Sequence, residues 1–463
     1  MHLDVISPLD GRYREVAEKL AGAASELGLI RYRLLVECTY LLFLAKEAQV
    51  PLTLTPPERK FLMRLPIVAQ KDAAVVQAIE KEGYKNIPAT RHDVKAVEYF
   101  LREKFKGTSL EKKMQWIHFG LTSEDVNNIA YALMLRECTY VTANSLRKLV
   151  GILEILARRY APVAMLARTH GQPASPTTFG KEIRVFAERV HYQLGKLLAT
   201  VLLAKLNGAS GNYNALVTSF PRVNWVAFSK KFIGGFNQPG DTIRLECNAY
   251  TTQIEPHDSY AELFQVIARI NTILLDFTQD MWRYISDGWV VQRIKKGEVG
   301  SSTMPHKVNP IHFENAEGNL GLANALFTFF AAKLPISRLQ RDLSDSTVER
   351  NFGVAYAHTL VAYEAIRKGL AVIAPQKDVM ERELAKHPEV LAEAIQTILR
   401  REGVPEAYET LKSLTRGREV TLRELQRFIQ DLTIPKRAKR ELLALAPRRY
   451  LGYAQILAKG KRT

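Results

Sequence analysis

The sequence predicts an all-α fold, and three observations carry that prediction. Long stretches run without Gly or Pro and repeat apolar residues at helical spacing, β-rich segments are few, and no run alternates strand with helix to build a parallel sheet. From Ser259 to Asp287 no Gly or Pro intervenes, and Leu263, Val266, Ile267, Ile270, Leu274, Phe277 and Met281 recur every three or four residues. At 1.5 Å per residue this makes a rod about 40 Å long. Leu146, Leu149, Leu153 and Leu156 form a second stripe, and Ile183, Phe186, Val190, Leu194, Leu197 and Val201 a third. Rods of this kind imply a helical bundle.

Breaks in the pattern divide the chain into three helical domains. A helix with the apolar face Val94, Val97, Leu101 and Phe105 closes at Gly107, so an N-terminal domain is expected over 1–110. The long-helix bundle follows over 111–370. Beyond Pro375 the helices shorten between Pro388, Gly403, Pro405, Gly417, Pro435 and Pro447, which predicts a small helical domain over 371–463. The tetrapeptide ECTY occurs at Glu37 and Glu137, a coincidence that a chain of this length allows without a repeat.

Composition narrows the function classes. The 463 residues are 47% hydrophobic and 24% charged, which excludes a disordered or low-complexity chain. Apolar stretches such as Leu34 to Ala45 fall short of the roughly 20 residues a bilayer needs, so no membrane partner is expected. The opening MHLDVISPLDGRYREV lacks a basic segment leading into an apolar one, and no secretory signal is expected. Cys38, Cys138 and Cys247 are too far apart for a disulfide framework or a zinc spacing, and point to a reducing cytoplasmic setting. The net charge of +17 is uneven: from Lys436 to Thr463 nine lysines and arginines face one acid, Glu441, a net +8. Such a segment is either a solvated tail or a nonspecific attractor of anions; no specific nucleic-acid partner is expected.

Several familiar sites are missing from the sequence. There is no G-x-G-x-x-G, no complete phosphate-binding loop around Gly180-Lys181, no H-E-x-x-H and no carboxylate-rich calcium loop, so neither a nucleotide cofactor nor a metal is expected. The densest unusual segment is GEVGSSTMPHKVNP, from Gly297 to Pro310. It sets Ser301, Ser302, Thr303, His306, Lys307 and Asn309 between two helical stretches, either as a loop equipped for proton transfer and anion binding or as a solvated polar connector. A serine hydroxyl is a poor base unless cations or amides hold its alkoxide, and Lys307 is the local candidate.

Three further segments could join it. ARTHGQP places His170 on a polar turn before a rod, as a general acid or as a surface histidine. HFGLTSEDV makes Ser123 the N-cap of a helix whose buried stripe is Val126, Ile129, Ala130, Leu133 and Met134. That terminus could hold an anion, although Glu124 and Asp125 in its first turn weaken the case. Arg338, Arg341 and Arg350 flank Ser344, Ser346 and Thr347, as a grip on phosphate or dicarboxylate or as a solvated helix face.

These segments together resemble a known family. GSSTMPHKVNP is similar to the signature of the fumarase/aspartase superfamily, and RTHGQPASPTTFGKE, TRHDVKAVEYF, HFGLTSEDVNN and RDLSDSTVERN resemble its adenylosuccinate lyase branch, in the same order along the chain. The resemblance also takes in SPLDGRY and is weakest after Pro375. It implies β-elimination of fumarate from adenylosuccinate and from the succinylcarboxamide ribotide of purine synthesis, with Ser301 as base and His170 as acid. Lys307 and Asn309 would hold the dicarboxylate end. Arg12, Tyr13, Arg91, His92, Asp93, Thr122, Ser123, Gln253, Ser302, Asn315, Arg341, Ser346, Thr347, Val348, Glu349 and Arg350 match the family's substrate contacts, His92 near the phosphate end. Arg91 stands where that branch usually has asparagine. The resemblance further implies a homotetramer whose sites draw on different subunits. Another fumarate-releasing lyase of the superfamily, such as argininosuccinate lyase, or a scaffold that keeps the fold without catalysis are the alternatives.

Overall fold

The computed structural model describes residues 4–293, 304, 306–415 and 420–460. The rods form where the apolar spacing places them, except that Val201, expected to continue the third stripe, begins a strand: Ser123–Arg159, Phe179–Leu198 and Asp258–Ser286 are continuous helices, joined by Ile311–Lys333 and Phe352–Val372. The shorter helix expected before Gly107 spans Asp93–Phe105. The all-α expectation holds, with three small strand pairs added among the described residues. Ala164–Thr169 pairs antiparallel with Gln172–Thr178, Val201–Ala204 pairs parallel with Arg244–Cys247, and Val290–Gln292 pairs antiparallel with Ile373–Pro375.

The chain forms two compact units, each discontinuous in sequence. One gathers Met1–Leu146, Gln193–Thr272 and Gly318–Glu364. Its core is rich in aromatic rings: Phe264 lies 5.6 Å from Phe327 and 5.0 Å from Phe352, and Phe327 meets Tyr356 edge-on. The expected stripe Val126, Ile129, Ala130, Leu133 and Met134 is buried throughout.

The other unit gathers Arg147–Tyr192, Ile273–Glu317 and Ala365–Thr463. Leu149, Leu153, Ile183 and Phe277 are fully buried in it, and Phe277 packs on Phe186 and Phe313. Gly180 opens the Phe179–Leu198 helix hard against backbone, since a Cβ there would stand 2.3 Å from the carbonyl oxygen of Ala157. The basic C-terminal segment is not a solvated tail over its described length. Lys436–Leu443 is a helix with Ala438 and Leu442 buried, and Ala458, fully buried, accepts a hydrogen bond from Arg184 Nε at 3.2 Å. Its charges face outward from an apolar stripe, as an amphipathic helix requires. No helix among the described residues is long and apolar enough to cross a membrane.

Candidate active site

His170 sits at the tip of the hairpin Ala164–Thr178. Thr169 pairs with Gln172, so His170 and Gly171 form a two-residue turn, and both have positive φ, 54° and 77°, as a type I′ turn requires. The imidazole is therefore carried outward, exposed, on a stiff support. Arg168, two residues earlier, pairs with Glu383 at 2.7 Å and lies over the Trp289 ring at 5.7 Å. A cavity of about 710 Å³ opens beside this hairpin, lined by Arg168, Gly171, Glu182, Asp280, Arg283 and Trp289 among others. Burial, with Asp276 and Glu182 nearby, pushes the Asp280 carboxyl up to about 6.

The same unit holds what is described of the GSSTMPHKVNP segment. Ser301 and Ser302, the expected base and its neighbour, lie outside the described residues. Lys307 is exposed and its backbone N–H donates to the Met304 carbonyl at 3.0 Å. Asn309 is half-buried, and Asn315 is half-buried on the helix Ile311–Lys333.

The remaining expected contacts belong to the first unit. The long helix there begins at Ser123, so Thr122, and not Ser123, stands at the cap position. The cap is reciprocal: the Asp125 N–H donates to the Thr122 carbonyl at 3.0 Å, and the Thr122 N–H to Asp125 Oδ2 at 2.9 Å. A carboxylate at the third helical residue closes the turn more strongly than the Ser123 hydroxyl, which is why the start shifts by one. Asp125 turns into the protein, where Lys205 Nζ donates to it at 2.8 Å and the N–H groups of Asn207 and Gly208 at 3.0 and 3.1 Å. Both ionic side chains are wholly buried. The Asp125 charge is thereby compensated from within the protein by the Lys205 ammonium and backbone N–H groups.

Asp93 forms a second cluster. Arg33, almost wholly buried, donates to Asp93 Oδ2 at 2.6 Å and to Asn127 Oδ1 at 2.9 Å, while Arg350 reaches the same Asp93 oxygen at 3.1 Å. Burial would raise the Asp93 carboxyl, but Arg33, the Val94 N–H that donates to it at 2.8 Å, and Arg350 outweigh it and hold it below its usual range. His92 caps the helix that Asp93 begins, its Nδ1 accepting from the Lys95 N–H at 3.3 Å. Arg91 precedes it in the left-handed region at φ 52° and is exposed. Arg350 also borders a cavity of about 300 Å³ with Ser7, Asp10 and Arg14, beside the SPLDGRY segment; Arg12 there is exposed and Tyr13 half-buried.

Gln253 and Arg341 meet at 3.4 Å, and Gln253 Nε2 donates to the Ala209 carbonyl at 3.0 Å. Arg341 lies 3.3 Å from Glu124 and 3.8 Å from Asp345. The short helix Ser344–Glu349 presents Ser346 and Thr347 toward its surface, whereas Val348 and Glu349 are buried at 7% and 4% exposure. Glu349 lies 3.5 Å from His257, itself fully buried.

The expected residues of the first unit thus fall into linked groups, Asp93 with Arg350 and Gln253 with Arg341. Sequence reasoning missed the groups that hold them: Arg33, the Asp125–Lys205 pair, Glu124 with His257, and His118, whose Nδ1 lies 2.5 Å from buried Glu37. A lysine inside the apolar run VLLAKLNG and a histidine in the Pro-His-Asp that opens a rod were the available signals. Among the described residues no group of three or more His, Cys, Asp or Glu could hold a metal ion.

Comparison with known proteins covers almost the whole chain. A family model described as Lyase matches residues 11–324, and one described as Adenylosuccinate lyase C-terminal matches 337–451. The chain is 47% identical to adenylosuccinate lyase of Legionella pneumophila (strain Corby), over 99% of this chain and 98% of that protein. It is 46% identical to the adenylosuccinate lyase of Vibrio cholerae and 44% to that of Escherichia coli (strain K12), each over 98% of this chain and 97% of the other. Among solved structures, a fumarate lyase from Mesorhizobium sp. BNC1 superposes with a TM-score of 0.67 at 17% identity, covering 96% of this chain and 97% of that one. The 3-carboxy-cis,cis-muconate lactonizing enzyme from Pseudomonas putida gives 0.67 at 21%, covering 95% and 94%. These two likenesses speak to the fold.

Proposed function

The chain belongs to the adenylosuccinate lyase family, and from that premise we propose that it releases fumarate from adenylosuccinate, giving AMP, and from the succinylcarboxamide ribotide earlier in purine synthesis. The observation that carries this reading is the 47% identity to an adenylosuccinate lyase along 99% of the chain. The reaction is a β-elimination. A base takes the proton from the carbon beside a carboxylate, and the electron pair left behind spreads onto that carboxylate. It then forms the new C=C bond as the C–N bond breaks, and the nitrogen keeps the bonding pair and takes a proton from an acid. Ser301 is proposed as the base and His170 as the acid. Lys307 and Asn309 supply cation and amide to the dicarboxylate, where charge develops.

On this reading Asp93, Arg350 and His92 hold the nucleotide end, with Arg341, Gln253 and the Thr122–Ser123 terminus beside them. The reading further includes a cytoplasmic homotetramer with three helical domains per chain and sites shared between subunits. The test is fumarate release from adenylosuccinate by purified protein, with Ser301→Ala and His170→Ala each lowering turnover by about 10² to 10⁴. Folded variants with near-normal turnover would remove the assigned roles, and a wild-type chain that acts on argininosuccinate instead would replace the substrate.

A further inference from the structure

The hairpin that carries His170 is buried only at its base. Ala164, Met165 and Leu166 lie in the core, whereas Arg168, Thr169, His170, Gly171 and Gln172 are exposed, and the sheet has two strands. A two-stranded ribbon is marginally stable by itself and needs packing or side-chain support from elsewhere. The positive φ of His170 and Gly171 sets the type of turn, but not where the turn stands relative to the rest of its unit.

Arg168 supplies that support beside the turn. Its Nη2 donates to Glu383 Oε1 at 2.7 Å, its Nη1 donates to the Gly171 carbonyl at 3.4 Å, and its guanidinium stands 5.7 Å from the centre of the Trp289 ring. One planar cation thus ties the turn to a carboxylate and an aromatic face, which the fork of an arginine can do and a lysine cannot. Both anchors are themselves fixed. Glu383 belongs to the helix Lys377–Ala385, whose Met380 and Leu384 are buried; its other oxygen takes Lys386 Nζ at 3.3 Å, and His387 Nε2 lies 3.6 Å from Oε1. Trp289 is buried and stacked on Tyr284, and its carbonyl accepts from the Gln376 N–H at 2.8 Å, one residue before that helix. On the returning strand Ser175 Oγ donates to Glu393, which also accepts from the Tyr450 hydroxyl at 3.0 Å. An exposed ion pair contributes little to stability, so what this one supplies is the location of the turn.

We propose that Glu383 is a positioning residue for His170: through Arg168 it holds the His170–Gly171 turn in one place, so that the imidazole is presented to the departing nitrogen. Glu383 acts through Arg168 and transfers no proton. The inference rests on the reading of His170 as the acid, and two controls separate the failures. A wild type that releases no fumarate from adenylosuccinate, or a folded His170→Ala with near-normal turnover, fails that reading and takes this inference with it.

With both controls as proposed, Glu383→Gln is expected to lower kcat about fivefold and to leave KM for adenylosuccinate within about twofold, because a displaced acid slows the chemical step rather than binding. Arg168→Gln should lose at least as much, and the two changes together no more than Arg168→Gln alone, since either one breaks the same link. The deciding measurement is made without the acid: in a His170→Ala background, Glu383→Gln should change the residual rate by less than about twofold. A wild-type kcat in folded Glu383→Gln overturns the proposal with the acid reading intact. The same fivefold fall in the His170→Ala background also overturns it, as that is what a general structural loss produces. If Glu383→Gln does not fold, Arg168→Gln carries the same comparison from the other end of the link, and failure of both to fold overturns the proposal, because the pair would then hold the fold and not the turn.

Discussion

His170 and Gly171 share one turn, at φ 54° and 77°, and the imidazole's placement depends on its glycine neighbour. A Cβ at Gly171 would meet nothing within 4 Å, so a substitution there acts through the backbone alone. Valine in the left-handed region costs about 1–2 kcal/mol, and the turn would relax away from type I′. If His170 is the acid proposed above, Gly171→Val is expected to lower kcat by about tenfold or more with little change in KM, because a misplaced acid slows the chemical step rather than binding. Steady-state kinetics on the folded variant checks this, and a wild-type kcat would separate the turn from the acid's placement.

The Lys205–Asp125 pair is expected to hold the Thr122 turn. Lys205→Met leaves Asp125 buried without its cation and should destabilise the protein by about 3–5 kcal/mol, the usual result of breaking a buried pair from one side. Lys205→Met with Asp125→Asn should lose less than the two single changes together, since the double variant strands no charge. Urea denaturation followed by circular dichroism gives both numbers. Additive losses would mean that the two residues do not act as a pair.

Much of this arrangement was legible in the sequence, and the physics explains where legibility stopped. The rods were readable because Leu263 through Met281 repeats at the helical period over about five turns, a signal that local noise does not erase. The start at Ser123 was read one residue late, since the cap depends on which of three polar neighbours closes the turn. The hairpin Ala164–Thr178 went unread because Pro173 and Pro176 mask a short strand. The parallel pair Val201–Ala204 with Arg244–Cys247 joins segments about forty residues apart, and no local pattern encodes that. In the candidate site, Asp93 and Arg350 stand in recognisable motifs, but Arg33 and His257 meet partners 60 and 92 positions away in the chain, which no local motif reveals.

The contact between His118 and Glu37 makes stability depend on pH in a definite direction. Burial would lower the His118 imidazole, but the Glu37 carboxylate at 2.5 Å outweighs it and raises it above the ordinary histidine value of about 6.5. A group whose folded value is raised binds its proton more tightly in the folded chain. Its contribution is therefore full below about pH 6.5 and is lost as pH rises through the raised value. Wild type minus Glu37→Gln, measured by urea unfolding across pH 5.5 to 9, should show a stability difference that shrinks toward alkaline pH. A difference that grows with pH would mean that His118 is neutral in the pair.

The proposed sharing of sites between subunits yields a test that needs no structure of the assembly. In the sequence His170 precedes one rod, Thr122 and Ser123 open another, and Ser301 follows a third, so the three segments are far apart along one chain. If each site takes His170 and Ser301 from different chains, an inactive Ser301→Ala protein and an inactive His170→Ala protein each carry the group that the other lacks. Dissociated, mixed in equal amounts and reassembled, random pairing should leave about a quarter of the sites with both native groups. Recovered fumarate release near a quarter of wild type, absent from either parent after the same treatment, is the expected result. Native mass spectrometry of isotope-labelled mixtures establishes that subunits have exchanged. Mixed assemblies that exchange fully and stay inactive would put both residues of a site on one chain and end the shared-site proposal.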